Sequence, residues 1–399
     1  MGDFNQSVIL EAIRQSAEGL SRIELAAATG LSAQTVTNIT RRLLDGGYIR
    51  EAERTINGPG KPRVTLRLIA DSRFAVGVHL DPTLMTFVLL DLSGAVVRRT
   101  SVRTPTVAPE QIVEAMASSV ESLISGSGVT RERIAGIGLA APGPLDPKLG
   151  TVIDPPKLLG WHRVPLRGAL EEATGLPVVL EKDTTAAAVG ELWTRQESAD
   201  DSFVFVYIGT GIGASLVRYG EAVKGSTRNV GEVGHIIVNP DGPVCSCGYR
   251  GCVEVVCTPQ AIVESAERLG VFTEAQEDTD AATIDARFTE LCERAAAGDA
   301  LAASALQQAA ADMSVLVAVL TNILDVDRVV FGGPFWSRLS DVYLREIPDL
   351  LDRASATRAV RTLPVHGTVV GDDVGAVGAG CAVLDVVLSP RASDLLLEG

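Results

Sequence analysis

Cysteine and histidine are scarce in this chain, with six and four among 399 residues. Cys257, Cys292 and Cys381 lie far apart, so no disulfide framework is spelled out and a reducing cytoplasm is expected. A basic-apolar leader is missing too, because Met1 to Leu10 is polar and mixed. The most apolar run, Met313 to Leu324, is too short to span a bilayer and is broken by Asn322, so no membrane partner is expected. Positive charge is also in short supply. A net charge of −15 argues against non-specific nucleic-acid binding by the bulk of the protein.

What is present begins with size: 46% hydrophobic content over this length allows a large core and two or three domains. The charge is unevenly spread. Residues 1–70 hold nine Lys/Arg against seven Asp/Glu, whereas the remainder is −17. Val8, Ile9, Ala12 and Ile13 follow a helical period, and a second short helix spans Ser21 to Thr29. Ser32 caps a third over Ala33 to Asp45, with Val36, Ile39, Leu43 and Leu44 on one face. Strands at Tyr48 to Glu53 and Arg63 to Ile69 flank the turn Asn57 to Pro62. Three helices and a hairpin are the plan of a winged helix-turn-helix, whose second helix of the pair enters the major groove. Gln34, Thr35 and Asn38 are candidate base readers, with Thr37 on the same outward face; Arg41 and Arg42 are candidate phosphate contacts, and Lys61 and Arg63 in the wing are placed to reach phosphate or the minor groove. The competing reading is a docking module without DNA.

In the body, strands at Phe74 to Leu80, Leu84 to Asp91 and Ala95 to Val102 precede a helix from Pro109 to Ser125. Strands at Ile134 to Ala140 and Pro177 to Glu181 follow, then a helix through Trp193. The pattern restarts at Phe203 to Ile208 and Gly213 to Tyr219, which implies two α/β lobes with a cleft between them. Helices dominate 259–325, and Arg328 to Pro334 is a buried strand ending in a glycine turn.

The densest chemistry lies at 231–254. Cys245, Cys247 and Cys252 fall within eight residues, and Gly248 and Gly251 let the loop fold tightly enough for the sulfurs to converge. His235, ten residues upstream, completes a Cys3His set that suits tetrahedral zinc in a structural role. A cluster of cysteines without metal is the alternative. Glu232 and Glu254 bracket the knuckle and are free to accept hydroxyl hydrogens from a polyol.

The run G-E-x-G-H…C-x-C-G-x-x-G-C-x-E resembles the signature of the ROK family of repressors, uncharacterised reading frames and sugar kinases. The resemblance implies that Glu232, His235 and Glu254 touch a sugar, and that the body is a two-lobed actin-like ATPase fold, ribonuclease H-like. Asp183 stands at the family's catalytic base, and Lys182 and Lys157 stand where Asn is usual. Lys182 either points inward to a ligand or swings out to an exposed acid. The family's first phosphate loop, D-x-G-G-T, is replaced by His79-Leu80-Asp81-Pro82-Thr83. Asp81 puts an anion where phosphate should sit, and Pro82 deletes an N–H donor. The second loop, Gly209 to Gly213, and the Gly332-Gly333 turn are intact.

Three parts are therefore expected: a DNA-binding module at 1–70, one lobe at 71–190 joined by a helix at about 373–390, and a second lobe at 191–372. The resemblance implies a sugar-responsive regulator, a repressor of carbohydrate genes acting as a dimer or tetramer on operator DNA. ATP is not expected, and Asp183 is a vestigial base. The alternative is an active ATP-dependent sugar kinase with an appended DNA-binding domain.

Overall fold

The computed structural model describes residues 2–55, 63–105, 108–158, 160–195, 202–272 and 280–388. The chain opens with helix α1 (Gly2–Gln15), strand β1 (Leu20–Ser21) and helices α2 (Arg22–Thr29) and α3 (Ala33–Asp45), then the hairpin β2 (Ile49–Thr55) and β3 (Arg63–Leu68). Local chemistry sets these boundaries. The Ser21 hydroxyl and Glu24 carboxylate form a reciprocal capping box on α2, and Gly30 ends it in the left-handed region. Ser32 accepts from the Thr35 amide to start α3. Val36, Ile39 and Leu43 are buried as expected; Thr40 joins them, while Leu44 is only half-buried. The three strands form one sheet in the order β1-β3-β2. Lys61 and the turn Asn57 to Pro62 lie outside the described residues.

Two five-stranded sheets follow. The first is built from β4 (Phe74–Leu80), β5 (Leu84–Asp91) and β6 (Val96–Arg103), then α4 (Pro109–Ser125), β7 (Ile134–Ala141), the small ribbon β8 (Leu145–Asp146) and β9 (Thr151–Val152), α5 (Leu166–Thr174) and β10 (Val178–Lys182). Helix α6 (Asp183–Arg195) crosses to the second: β11 (Phe203–Ile208), β12 (Ile212–Arg218), β13 (Glu221–Ala222), helices α7 (Val253–Val256), α8 (Pro259–Arg268), α9 (Ala281–Ala296) and α10 (Ala300–Leu324), β14 (Arg328–Gly332), α11 (Trp336–Ala354) and β15 (Val365–Gly367). Helix α12 (Val374–Leu388) returns to the first sheet.

The sheets run β10-β7-β4-β5-β6 and β13-β12-β11-β14-β15, so each puts its third, second, first, fourth and fifth strand side by side. That shared order is the duplicated plan read from the restart at Phe203. The central strands β4 and β11 are buried along their whole length, which is why they read as unbroken apolar runs rather than alternating ones.

Helices α6 and α12 cross between the sheets and pack against each other through glycine. A Cβ on Gly378 would lie 1.6 Å from the Ala186 carbonyl oxygen, so no side chain fits there. The N-terminal module is not hung on a free tether. Ile9, Leu10, Ile13 and Leu66 share one buried cluster with Val88, Leu90, Trp193, Cys381 and Leu384.

Two results go beyond the sequence reading. The apolar run at Met313 belongs to a 25-residue helix, α10, long and apolar enough by length and composition to cross a membrane. Its Ala302, Leu306, Met313 and Leu316 are buried in the core of the second lobe, which accounts for their character. Helix α11 carries Pro348 inside it. Five side chains at helical spacing (Trp336, Leu339, Tyr343, Ile347 and Leu351) are buried on one face. At roughly 1.5–3 kcal/mol each they outweigh the ~3 kcal/mol an internal proline costs.

Candidate functional site

The ligating atoms of His235, Cys245, Cys247 and Cys252 all lie within 4.8 Å of one another. Backbone bonds build the loop: the Cys245 amide donates to Tyr249, the Gly251 amide to Pro243, and the Val253 amide to Ile236. Gly251 is obligatory, with φ +64° and a would-be Cβ 1.4 Å from the Asn239 oxygen. The Cys247–Cys252 sulfurs are 3.6 Å apart, and Cys245 sulfur is 3.4 Å from His235 Nδ1. Tetrahedral zinc with bonds of about 2.3 Å to sulfur and 2.0–2.1 Å to nitrogen needs about 3.8 and 3.5 Å. The set fits. Backbone hydrogen bonding from Cys247 lowers the Cys245 thiol to about 7, while burial pushes Cys252 up to about 12.

Asp183 is the first residue of α6, directly after β10, so the sheet edge and helix start present it to the cleft. Desolvation raises its carboxyl to about 7, opposed by the neighbouring Lys182 charge and the Thr184 amide. Lys182 points inward. Its side chain is 3% exposed and donates to Val230 O at 3.1 Å and to Glu232 at 2.5 Å. Lys157 pairs with Glu254 at 3.2 Å. Each carboxylate expected to read hydroxyls is thus engaged by a lysine standing where the family has Asn. Lys224 makes a third such pair, with the buried Glu181. Of five lysines in the chain, three lie on these carboxylates. Gly143 lies against Glu232, Lys182 and Asn229, which brings the Ala141 to Pro144 loop to the site. Asn229, missed in sequence, clamps that loop by bonding both the N–H and the carbonyl of Leu145. Asparagines carry no signal by themselves that would have found it.

The phosphate loops explain themselves. Asp81 is buried and accepts from the Thr83 amide at 2.8 Å, and the Thr210 amide of the second loop lies near enough to favour its charged form. Burial raises it to about 6 against those amides. A side-chain carboxylate therefore uses donors that would face phosphate. His79, lowered to about 4 by burial and so neutral, is bonded to the Tyr207 hydroxyl at 2.9 Å. Between the loops and α9 lies a cavity of about 770 Å³ whose walls include Lys157 but none of Lys182, Asp183, Glu232, His235 or Glu254.

On α3, Gln34, Asn38, Arg41 and Arg42 are exposed and Thr35 and Thr37 partly so. Gln34 donates to Asn38 at 3.3 Å, and Thr37 is turned back onto the Ala33 carbonyl. Arg63 is tied to Glu24 at 2.9 Å, because β3 runs beside the start of α2.

A three-helix module with a hairpin, set on two lobes of shared strand order, defines a DNA-binding-type module joined to a kinase-like body. Comparison with known proteins agrees. The ROK family profile matches residues 75–386, and a winged helix-turn-helix DNA-binding profile matches residues 6–50. The chain belongs to the ROK family. It is 29% identical over 317 residues to a glucokinase of Halalkalibacterium halodurans, covering 78% of this chain and 95% of that one. It is 25% identical over 392 residues to the xylose repressor of Caldicellulosiruptor bescii, covering 97% and 96%. Among solved structures, a ROK family transcriptional regulator described as a homologue of the Escherichia coli Mlc protein superposes with TM-score 0.78 at 24% identity. That match covers 100% of this chain and 99% of the other.

Proposed function

We propose that the protein is a sugar-responsive transcriptional regulator: a winged helix-turn-helix at 1–70 binds operator DNA, and a sugar or sugar derivative binds in the cleft. The ligand residues are Lys182, Asp183, Glu232, His235 and Glu254. Gln34, Thr35, Thr37, Asn38, Arg41 and Arg42 form the DNA face, with Lys61 and Arg63 at its wing. The observation that carries this reading is Asp81, a buried carboxylate that takes the Thr83 amide and sets a negative charge where a phosphate would sit. Regulation by a sugar is in keeping with the repressors the chain resembles along nearly its full length. A protein of this kind works in the cytoplasm, as a dimer or tetramer.

Zinc at His235, Cys245, Cys247 and Cys252 would supply rigidity alone. Those residues hold the loop that presents Glu232 and Glu254. We divide the body at residue 190, with α12 counted in the first lobe. Helix α6 begins at the ligand residue Asp183, and near its other end Trp193 stacks on Arg14 of α1, 3.9 Å from guanidinium carbon to ring centroid. Trp193 also donates to Asp385 of α12 at 2.9 Å. Two residues before Trp193, buried Glu191 accepts from Thr368 and Val369, where β15 leads to α12. One rigid helix thus touches the ligand site, the inter-lobe crossing and the DNA module. Ligand-driven closure would reset the spacing of two recognition helices in a dimer, and so their fit to half-sites about one DNA turn apart.

The test is recovery of genomic fragments on the purified protein, repeated with candidate sugars. Sugar-dependent release or capture of a specific fragment supports the reading; equal operator affinity of a 71–399 fragment removes it. A second reading, a sugar kinase, draws on Asp183, since a carboxyl near 7 suits a general base. Turnover above about one per second with ATP, Mg²⁺ and a sugar, abolished by Asp183→Asn, would establish it.

A further inference from the structure

The cavity of about 770 Å³ suits neither of the ligands usually considered for such a cleft. Its walls are largely apolar: Ile112, Leu158 and Trp161 from one side, Ile284 and Phe335 from the other. A nucleotide triphosphate is opposed by Asp81 and Pro82 at its end. A bare monosaccharide fares no better, since Thr83, Thr104, Thr210, Gln260 and Asp280 offer partners along only part of the lining and the apolar walls would be left unfilled. The volume lies within the range of small-molecule pockets, and a cavity of ~150 Å³ already holds benzene.

One side chain joins this space to the sugar-reading residues. Lys157 lines the cavity and pairs with Glu254 at 3.2 Å, and its ammonium also reaches Gln260, another wall residue, at 3.4 Å. A polar seam therefore marks the border between a carboxylate-rich subsite and an apolar chamber. We propose that the effector is a glycoside or similar sugar conjugate. Its sugar ring sits at Asp183, Glu232 and Glu254, its linking atoms lie near Lys157, and its apolar, ring-sized substituent fills the cavity. The inference rests on the sugar-sensing reading above. It also supplies a closing force. Because the walls come from both lobes, an apolar occupant gains contacts only when the lobes approach, which is the differential affinity a switch requires.

Calorimetry on the full chain tests this with p-nitrophenyl glycosides of glucose, xylose, galactose and N-acetylglucosamine, each beside its parent sugar, with p-nitrophenol and AMPPNP as further probes. At least one glycoside is expected to bind roughly tenfold or more tightly than its parent, from burial of one ring. Ile284 is only partly buried, so Ile284→Trp should fill the chamber without disturbing the core; it removes the gain and leaves the parent sugar's affinity unchanged. Phe335→Ala should reduce the gain as well. If parent sugars bind and no glycoside gains more than twofold, the substituent site is overturned and sugar sensing stands. If neither parents nor glycosides bind, both fall. AMPPNP binding that Ile284→Trp abolishes would return the chamber to nucleotides and overturn the proposal.

Discussion

Replacing Asp183 by Asn separates the cost of this site from its use. Folding moves the carboxyl from 3.8 to about 7, chiefly by desolvation. An acid raised in this way is neutral in both states below about pH 4 and then costs nothing. As pH rises, the unfolded carboxyl ionises first, and the wild type loses about 1.4 kcal/mol per pH unit until pH 7, beyond which the loss is constant. The full interval corresponds to about 4 kcal/mol. Partial exposure and the lost attraction to Lys182 bring the expected gain for Asp183→Asn to about 2–4 kcal/mol at pH 8. The asparagine oxygen keeps the 2.7 Å bond from the Thr184 amide, so little else changes. Chemical denaturation of both proteins from pH 5 to 8.5 should show the variant more stable throughout, with the gap widening by roughly 2 kcal/mol between pH 5 and 7.5. Sugar affinity should fall in the same variant. Equal stabilities at pH 8, or a gap that narrows as pH rises, would refute a desolvated carboxyl at the start of α6.

Other outcomes follow from the same contacts. Purified protein should carry close to one zinc per chain by elemental analysis, and Cys247→Ser or Gly251→Ala should lose it and lower thermal stability; full metal content in Gly251→Ala would contradict the packing at Asn239. Arg14→Met keeps the aliphatic stem but removes the guanidinium over Trp193, a contact of about 1–2 kcal/mol when desolvated. Operator titrations with and without effector should show coupling reduced roughly five- to thirtyfold, and unchanged coupling would make the contact merely structural. Arg41→Ala should weaken binding to every DNA sequence and flatten its salt dependence, whereas Asn38→Ala should relax sequence preference; competition assays distinguish the two. Lys182→Asn frees Glu232 and should strengthen neutral hexose binding by calorimetry, and no change would mean that the Lys182–Glu232 pair is no barrier to the ligand.

Much of this architecture could be read along the chain because the deciding interactions are short in sequence. Ser21 and Ser32 cap helices three residues away, Gly251 turns beneath a carbonyl twelve residues back, and the Cys3His set spans His235 to Cys252. The apolar runs of β4 and β11 announce central strands, since only strands covered on both faces lack polar alternation. Helix α11 and strand β15 went unread; the apolar spacing from Trp336 to Leu351 does spell a helix, but Pro348 argues locally against one, and its packing on α10 is what overrides the proline.

The partners of the charges belong to the other category. Asp81 could be seen to spoil a phosphate loop, yet nothing local said that the Thr210 amide of the second loop would lie beside it. Lys182 had two possible directions, and Lys157 lies nearly a hundred residues from the Glu254 it neutralises. Arg14 reaches Trp193 across almost half the chain. By itself the sequence determined the caps, the knuckle, the strand pattern and the class of chemistry, because each depends on neighbours that every conformation keeps close. Only the tertiary structure decided which ion pairs close the cleft and which helix joins it to the DNA module, because a long charged side chain has many eligible partners until the chain path selects one.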